Sequence, residues 1–321
     1  MSTKSARPRW YAATLLIVMS TLGAGSLPAT AETLLPALAP SQTPASPDPG
    51  GKQGSPLTDL NAYPKYTPAD LEAAAAKERG ARSAGPPPDK NTAEIVSREE
   101  LSDGRVRVDF YTLAAEADPE KVADSLRKSG RKNVEVLRPE PQPSTDGEVQ
   151  PMGPGDCTYG QAHAFTCPNV WWTNLGRRNP VVLFNDHSGA TWPTTNAVYK
   201  WNQTPNIDSW YTWNNCNQAG VHCVGVWSAN YGATGWIGHT NLIWASTKPG
   251  QIRDADVQLN DYYTGTYFTR NNVVTHELGH VLGLGHNDYW NDVMYYSANT
   301  REDIGGENPA LLAQIYSIDR E

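Results

Sequence analysis

Residues 276–286 read HELGHVLGLGH. His276 and His280 are four positions apart. At ~100° per residue they stand ~40° apart on one helix face, so both imidazoles can address one ion. Glu277 follows the first histidine directly. It would lie beside that ion without binding it, where a general base for a metal-activated water must stand. His286 comes ten residues after His276. On a continuous helix it would point ~280° round, away from the ion. The helix must therefore stop between His280 and His286. Gly283 suits the left-handed conformation that terminates helices, and Gly285 adds freedom. Three neutral imidazoles with an open fourth position describe catalytic rather than structural zinc. The bland alternative is a core helix that happens to carry histidines. Three of them at metal spacing would be costly to bury without a partner.

The string resembles the extended HExxHxxGxxH signature of the metzincin zinc endopeptidases. Asp292-Val293-Met294-Tyr295-Tyr296 resembles their methionine turn, with Met294 beneath the metal. Ile252–Asn260 resembles the strand before the active-site helix in matrixin-like members. The resemblance covers roughly residues 155–321 and is densest over 236–297. It departs from matrixins at Tyr296, where they usually carry proline. Astacins and serralysins have a tyrosine there, able to ligate zinc and stabilise the oxyanion. Tyr296 is thus either a fifth ligand assisting catalysis or a wall of the substrate pocket. Snapalysin-like peptidases place aspartate where His286 stands, so the chain departs from them too.

The resemblance implies an α+β catalytic domain: a twisted, mixed five-stranded sheet, an active-site helix and a C-terminal helix. It implies one catalytic Zn²⁺ and protein or peptide substrates. In metzincins an edge strand binds substrate backbone as an added strand, and His239–Trp244 or Gly232–Gly238 is the stretch expected to do so here. Asp254 and Asp256 could hold Ca²⁺, as acidic loops do in matrixins. They read equally as a strand flank, and calcium is not supported.

The positioning elements follow from pattern. Pro180–Asn185, Val221–Ser228 and His239–Ala245 read as strands. Thr194–Gln203 reads as a helix with Ala197, Val198 and Trp201 on one face. Glu307–Ser317 reads as a last helix with Leu311, Leu312 and Ile315 inward. His163, His187, His222 and His239 lack metal spacing and read as surface or packing residues. The large aromatics read as core and strand residues rather than as a glycan-binding platform.

Composition divides the chain. Nineteen of its 25 prolines precede residue 156, and ten of its 11 tryptophans follow residue 150. Of the net charge of −8, −6 belongs to residues 151–321. Lys4, Arg7 and Arg9, an apolar run from Tyr11 to Leu22 and Ala29-Thr30-Ala31 form a secretory signal over 1–31. Residues 32–92 read as a disordered Pro/Ala-rich spacer. Residues 93–150 form a small α/β pro-region. Its strands are Glu94–Glu99, Arg105–Leu113 and Asn133–Leu137, and its helix is Asp118–Ser129, with Asp118 as N-cap and Pro119 first. At roughly 45 residues that unit is small for a core of its own. Residues 151–321 form the catalytic domain.

Four cysteines in an exported chain argue for two disulfides, with local pairs Cys157–Cys167 and Cys216–Cys223 preferred. A zymogen thiol at Cys157 would leave an odd count and has no arginine beside it. A carboxylate such as Asp146, Glu148 or Asp156 is the other way to block the metal, and nothing in the sequence chooses among them. An acidic chain without a basic stripe is unsuited to nucleic acid. One short apolar run leaves no membrane span after signal cleavage. The expected molecule is a secreted monomer.

Overall fold

The computed structural model describes residues 64–81, 88–139, 158–159, 162–163, 170–248, 250–263 and 265–317. All lie in one compact unit, Ala45–Glu321. The expected signal, Cys157, Cys167, Asp146, Glu148 and Asp156 lie outside the described residues.

The strands are β1 (Glu94–Glu100), β2 (Val106–Leu113), β3 (Glu135–Leu137), the short pair β4 (Thr158–Tyr159) and β5 (Ala162–His163), then β6 (Val181–His187), β7 (Asp208–Thr212), β8 (His222–Ala229), β9 (Trp236–Trp244) and β10 (Ile252–Asn260). The helices are α1 (Pro68–Ala81), α2 (Pro119–Lys128), α3 (Thr194–Trp201), α4 (Tyr267–Leu282) and α5 (Glu307–Ile315).

Eight strands form one mixed sheet in the order β3-β1-β2-β9-β10-β8-β6-β7. The five-stranded arrangement expected from sequence is its β9-β10-β8-β6-β7 part. β6, β7, β8 and β10 run parallel, and β9 lies antiparallel on β10. Three further strands, all from residues 94–137, extend that sheet. β2 pairs antiparallel with β9 from Val106↔Trp244 to Leu113↔Trp236, and β1 pairs antiparallel with β2. The strand expected to be a free edge is therefore covered by the chain's own β2. The reason is reach and register. Eight residues of β2 match nine of β9, satisfying backbone groups an edge would leave open.

α4 crosses one face of the sheet, and α2 covers the other face at its N-terminal end. Val96, Val108, Phe110, Leu242, Val257, Val273 and Leu278 share the large core on the α4 side. Ile95, Tyr111, Leu113, Val122, Ala123 and Val134 form a second cluster. That cluster is completed by Trp236 of β9. Residues 94–137 are too few for a full core of their own, and β9 supplies the missing wall.

The helices follow their sequence signals. Asp118 caps α2 by accepting from Glu120 N and Lys121 N. Ala197, Val198 and Trp201 of α3 are buried. Cys216 and Cys223 form the expected disulfide. α1 is a departure, since it lies within the stretch read as disordered spacer. Its few apolar residues suffice because α5 packs against it. Leu71 and Ala75 are buried, and Glu78 accepts from Gly306 N and Glu307 N at the start of α5. Lys65 donates to the carbonyls of Asn202, Thr204 and Ile207, each at 2.9 Å. Among the described residues no helix is long and apolar enough to cross a membrane.

Candidate metal centre

α4 begins at Thr266, whose side chain accepts from Thr269 N. It ends at Gly283, which is left-handed at φ 110°. Gly283 N donates to His280 O and Leu284 N to Gly279 O, both at 3.0 Å. A side chain at Gly283 would strain this conformation and approach the Val170 carbonyl at 2.9 Å. The reversal brings His286 back to the two helix histidines. Ring centroids lie 4.6 Å apart for His276–His280, 5.6 Å for His276–His286 and 4.9 Å for His280–His286. All three side chains are buried.

The outer ring nitrogens are tied to backbone. His276 Nδ1 lies 2.7 Å from Val293 O, and His280 Nδ1 lies 2.8 Å from Leu284 O. A carbonyl only accepts, so each Nδ1 carries the proton and each Nε2 presents a lone pair. Those two Nε2 atoms face each other at 2.9 Å. Two lone pairs at that distance repel unless a cation lies between them. Protonation is the metal-free alternative. Burial lowers the affinity of His276 for a proton, but the charge of Glu94 outweighs this and lifts its pKa to about 9. With zinc–nitrogen bonds of ~2.0–2.1 Å, two Nε2 atoms 2.9 Å apart can both reach one ion.

Glu94, at the start of β1, completes the group. Its carboxylate and the three histidines form a set whose ligand atoms all lie within 4.8 Å of one another. Oε2 is 3.4 Å from His276 Nε2, Oε1 is 3.5 Å from His280 Nε2, and Oε2 also contacts His286 Nε2. The Glu94 side chain is 1% exposed. Burial alone would raise its pKa, but the three imidazoles, His286 foremost, hold it well below the usual range. None of the carboxylates weighed from sequence is this residue. In the sequence Glu94 is only the first residue of a strand. Its one signal is an acid in line with Val96, a buried position, and that needs the register to see.

Glu277 is buried beside the cluster. Thr240 Oγ1 donates to its Oε2 at 2.6 Å, and Thr112 Oγ1 donates to its Oε1 at 2.7 Å. Burial raises its pKa, with His276 pulling the other way. Met294 is fully buried against Gly279, where any Cβ would sit 2.5 Å from its sulfur. Its turn is held by Met294 N donating to Asp292 Oδ1 at 2.6 Å and by Asn287 N donating to Met294 O at 2.8 Å. Asn308 Nδ2 donates to both oxygens of Asp292, whose pKa burial pushes up to about 6. The Tyr296 ring stacks on His286, with centroids 4.5 Å apart and planes at 29°.

The other histidines are packing residues where described. His187 stacks on Trp227, and His222 Nε2 lies 2.7 Å from Thr173 O. His239 faces Asp109 of β2. Asp254 and Asp256 lie on β10, and burial raises the pKa of each.

Residues 200–307 match the matrixin family model. No curated protein matches the chain.

Proposed function

Because residues 200–307 mark the chain as a matrixin-like metallopeptidase that uses zinc, we propose that it is a secreted endopeptidase with Glu277 as its general base. On this reading it is made as a preproprotein. Residues 1–31 direct export, 32–92 are a spacer and 93–150 are a pro-region. It acts as a monomer on protein or peptide chains. The single observation that carries the chemistry is the buried Glu277 beside three convergent imidazoles.

The residues suit the ion, since three buried imidazoles and the Glu94 carboxylate bring their ligand atoms together. His276, His280 and His286 would hold it. Zinc, when bound, supplies the Lewis acidity that polarises a scissile carbonyl and acidifies a water near neutral pH. The rest is the work of the chain. Glu277 takes a proton from the attacking water and passes it to the leaving amine nitrogen. Thr240 fixes the direction of its carboxylate. The Val293 and Leu284 carbonyls hold the His276 and His280 rings with Nε2 inward. We assign Tyr296 the role of buttress and pocket wall, because its ring lies face-on to His286. β9 is the strand on which substrate backbone would align.

The test is cleavage of casein by the zinc-loaded chain, assayed intact and after limited proteolysis. Activity should vanish with 1,10-phenanthroline and return with Zn²⁺. A folded, zinc-loaded protein that cuts nothing in either state would overturn the reading.

A further inference from the structure

The N-terminal hairpin lies where a substrate must lie. β2 pairs with β9 along its whole length, and antiparallel strand addition is how an extended peptide would use that strand. Glu94 and Thr112 are directly paired across β1 and β2, so their side chains share one face of the sheet. Phe110, two residues before Thr112, points the same way. All three reach the metal centre. Phe110 stacks on His280 at 4.3 Å and 13°, and meets His286 edge-on at 6.3 Å. Thr112 bonds Glu277. Glu94 contacts all three histidines.

We propose that residues 94–113 are a built-in substrate surrogate, in which β2 fills the substrate strand position, Glu94 is the fourth protein ligand of the metal, and Thr112 engages Glu277. This rests on the zinc-peptidase reading and names how that site is controlled.

Two physical arguments support it. First, Val96 and Phe110 on the same face are apolar and buried. A hairpin serving only as a sheet extension would gain by an apolar residue at 94 as well. A buried carboxylate there is costly unless a cation meets it. Second, catalytic zinc keeps one position for water or substrate. A carboxylate in that position excludes the nucleophile. The hairpin must leave β9 before substrate backbone can pair there.

The test uses the intact full-length chain loaded with Co²⁺, whose visible spectrum reports its ligands. The probe is acetohydroxamate, a small chelator that needs an open metal position. In wild type the spectrum should not respond at concentrations that shift Glu94→Gln. Apparent affinity in the variant should rise by about tenfold or more, because the competent fraction rises. Cleavage of a peptide by the intact chain should rise in parallel. Glu94→Asp, which keeps the charge but shortens the reach, should fall between them and serves if Glu94→Gln does not fold. The wild-type arm needs no variant: a wild-type spectrum that shifts as readily as the variants' overturns the proposal. If spectrum and affinity change as expected but no peptide is cut, the ligand assignment stands and the peptidase reading falls. If wild type cuts peptide while intact and Glu94→Gln changes neither spectrum nor affinity, the peptidase reading stands and the surrogate falls.

Discussion

The Thr112 hydroxyl donates a 2.7 Å hydrogen bond to Oε1 of Glu277, across 165 residues of chain. Thr240 occupies Oε2. Both oxygens of the proposed base are thus engaged while β2 lies on β9. Thr112→Val keeps the strand but deprives a buried carboxylate of one donor. The expected loss is about 1–3 kcal/mol of stability in the intact chain. Calorimetry should show a lower melting temperature, and peptide cleavage by the intact chain should rise. A variant as stable and as inactive as wild type would show that the bond contributes nothing to the docked state.

Gly238 matters for a different reason. It lies on β9 opposite Thr112, and a Cβ built there would fall on the Glu277 carboxylate and on Val273 Cγ1. Gly238→Ala should displace Glu277 while leaving the histidines in place. Overpacking of this kind costs about 1–3 kcal/mol. Turnover after activation should drop far more than stability, with zinc content unchanged. Paired metal analysis and kinetics would check this; unaltered turnover would mean Glu277 is not held there during the reaction.

The opposite face of β2 carries a polar seam. Asp109 accepts from His239 Nε2 at 3.0 Å, Asn241 Nδ2 at 2.9 Å, Ser97 Oγ at 2.9 Å and Arg131 Nη1 at 3.1 Å. Tyr111 stacks on His239. Burial lowers the proton affinity of His239, but its hydrogen bond with Asp109 outweighs this and raises its pKa above 6.5; Asp256 adds to the rise and Arg131 opposes it. Burial would raise the pKa of Asp109, but His239 first, then Arg131 and Asn241, hold it at about 2. A raised histidine gives stability that is complete below 6.5 and lost as pH climbs through its folded value. A depressed aspartate gives stability that is complete above 3.8 and lost as pH falls through about 2. The seam is therefore strongest between 3.8 and 6.5 and weakens in alkali. The melting temperature of the intact chain should fall as pH rises above 6.5 and through the raised pKa of His239. Asp109→Asn should flatten that slope and destabilise by about 3–5 kcal/mol, since it leaves a buried partner behind. Equal slopes in both proteins would contradict the assignment.

The metal centre was legible because local rules determine it. Helical spacing places His276 and His280 together, and a glycine that tolerates φ 110° returns His286. The elements of residues 94–137 were legible too, down to Asp118 as the N-cap of α2. Their partner was not. Nothing local tells β2 that it will pair with β9 rather than close a separate unit, because pairing is decided by register and by a shared core such as Trp236. Glu94 was invisible for the same reason, since its role depends on a contact with a helix more than 180 residues away. α1 was missed because composition speaks only for the segment itself, whereas its order comes from α5 and from Glu78 meeting the α5 N-terminus. The sequence leaves Tyr296 between two roles, and its place against His286 and Tyr295 emerges only in the fold.

The central claim is that Glu277 does the proton chemistry in a zinc site it does not itself bind. The most direct measurement takes zinc content and peptide turnover from the same preparations of wild type and Glu277→Ala, each intact and after limited proteolysis. The account predicts equal zinc in both proteins, with turnover of the activated variant lower by about 10²–10⁴-fold. Undiminished turnover in a folded Glu277→Ala protein would contradict it.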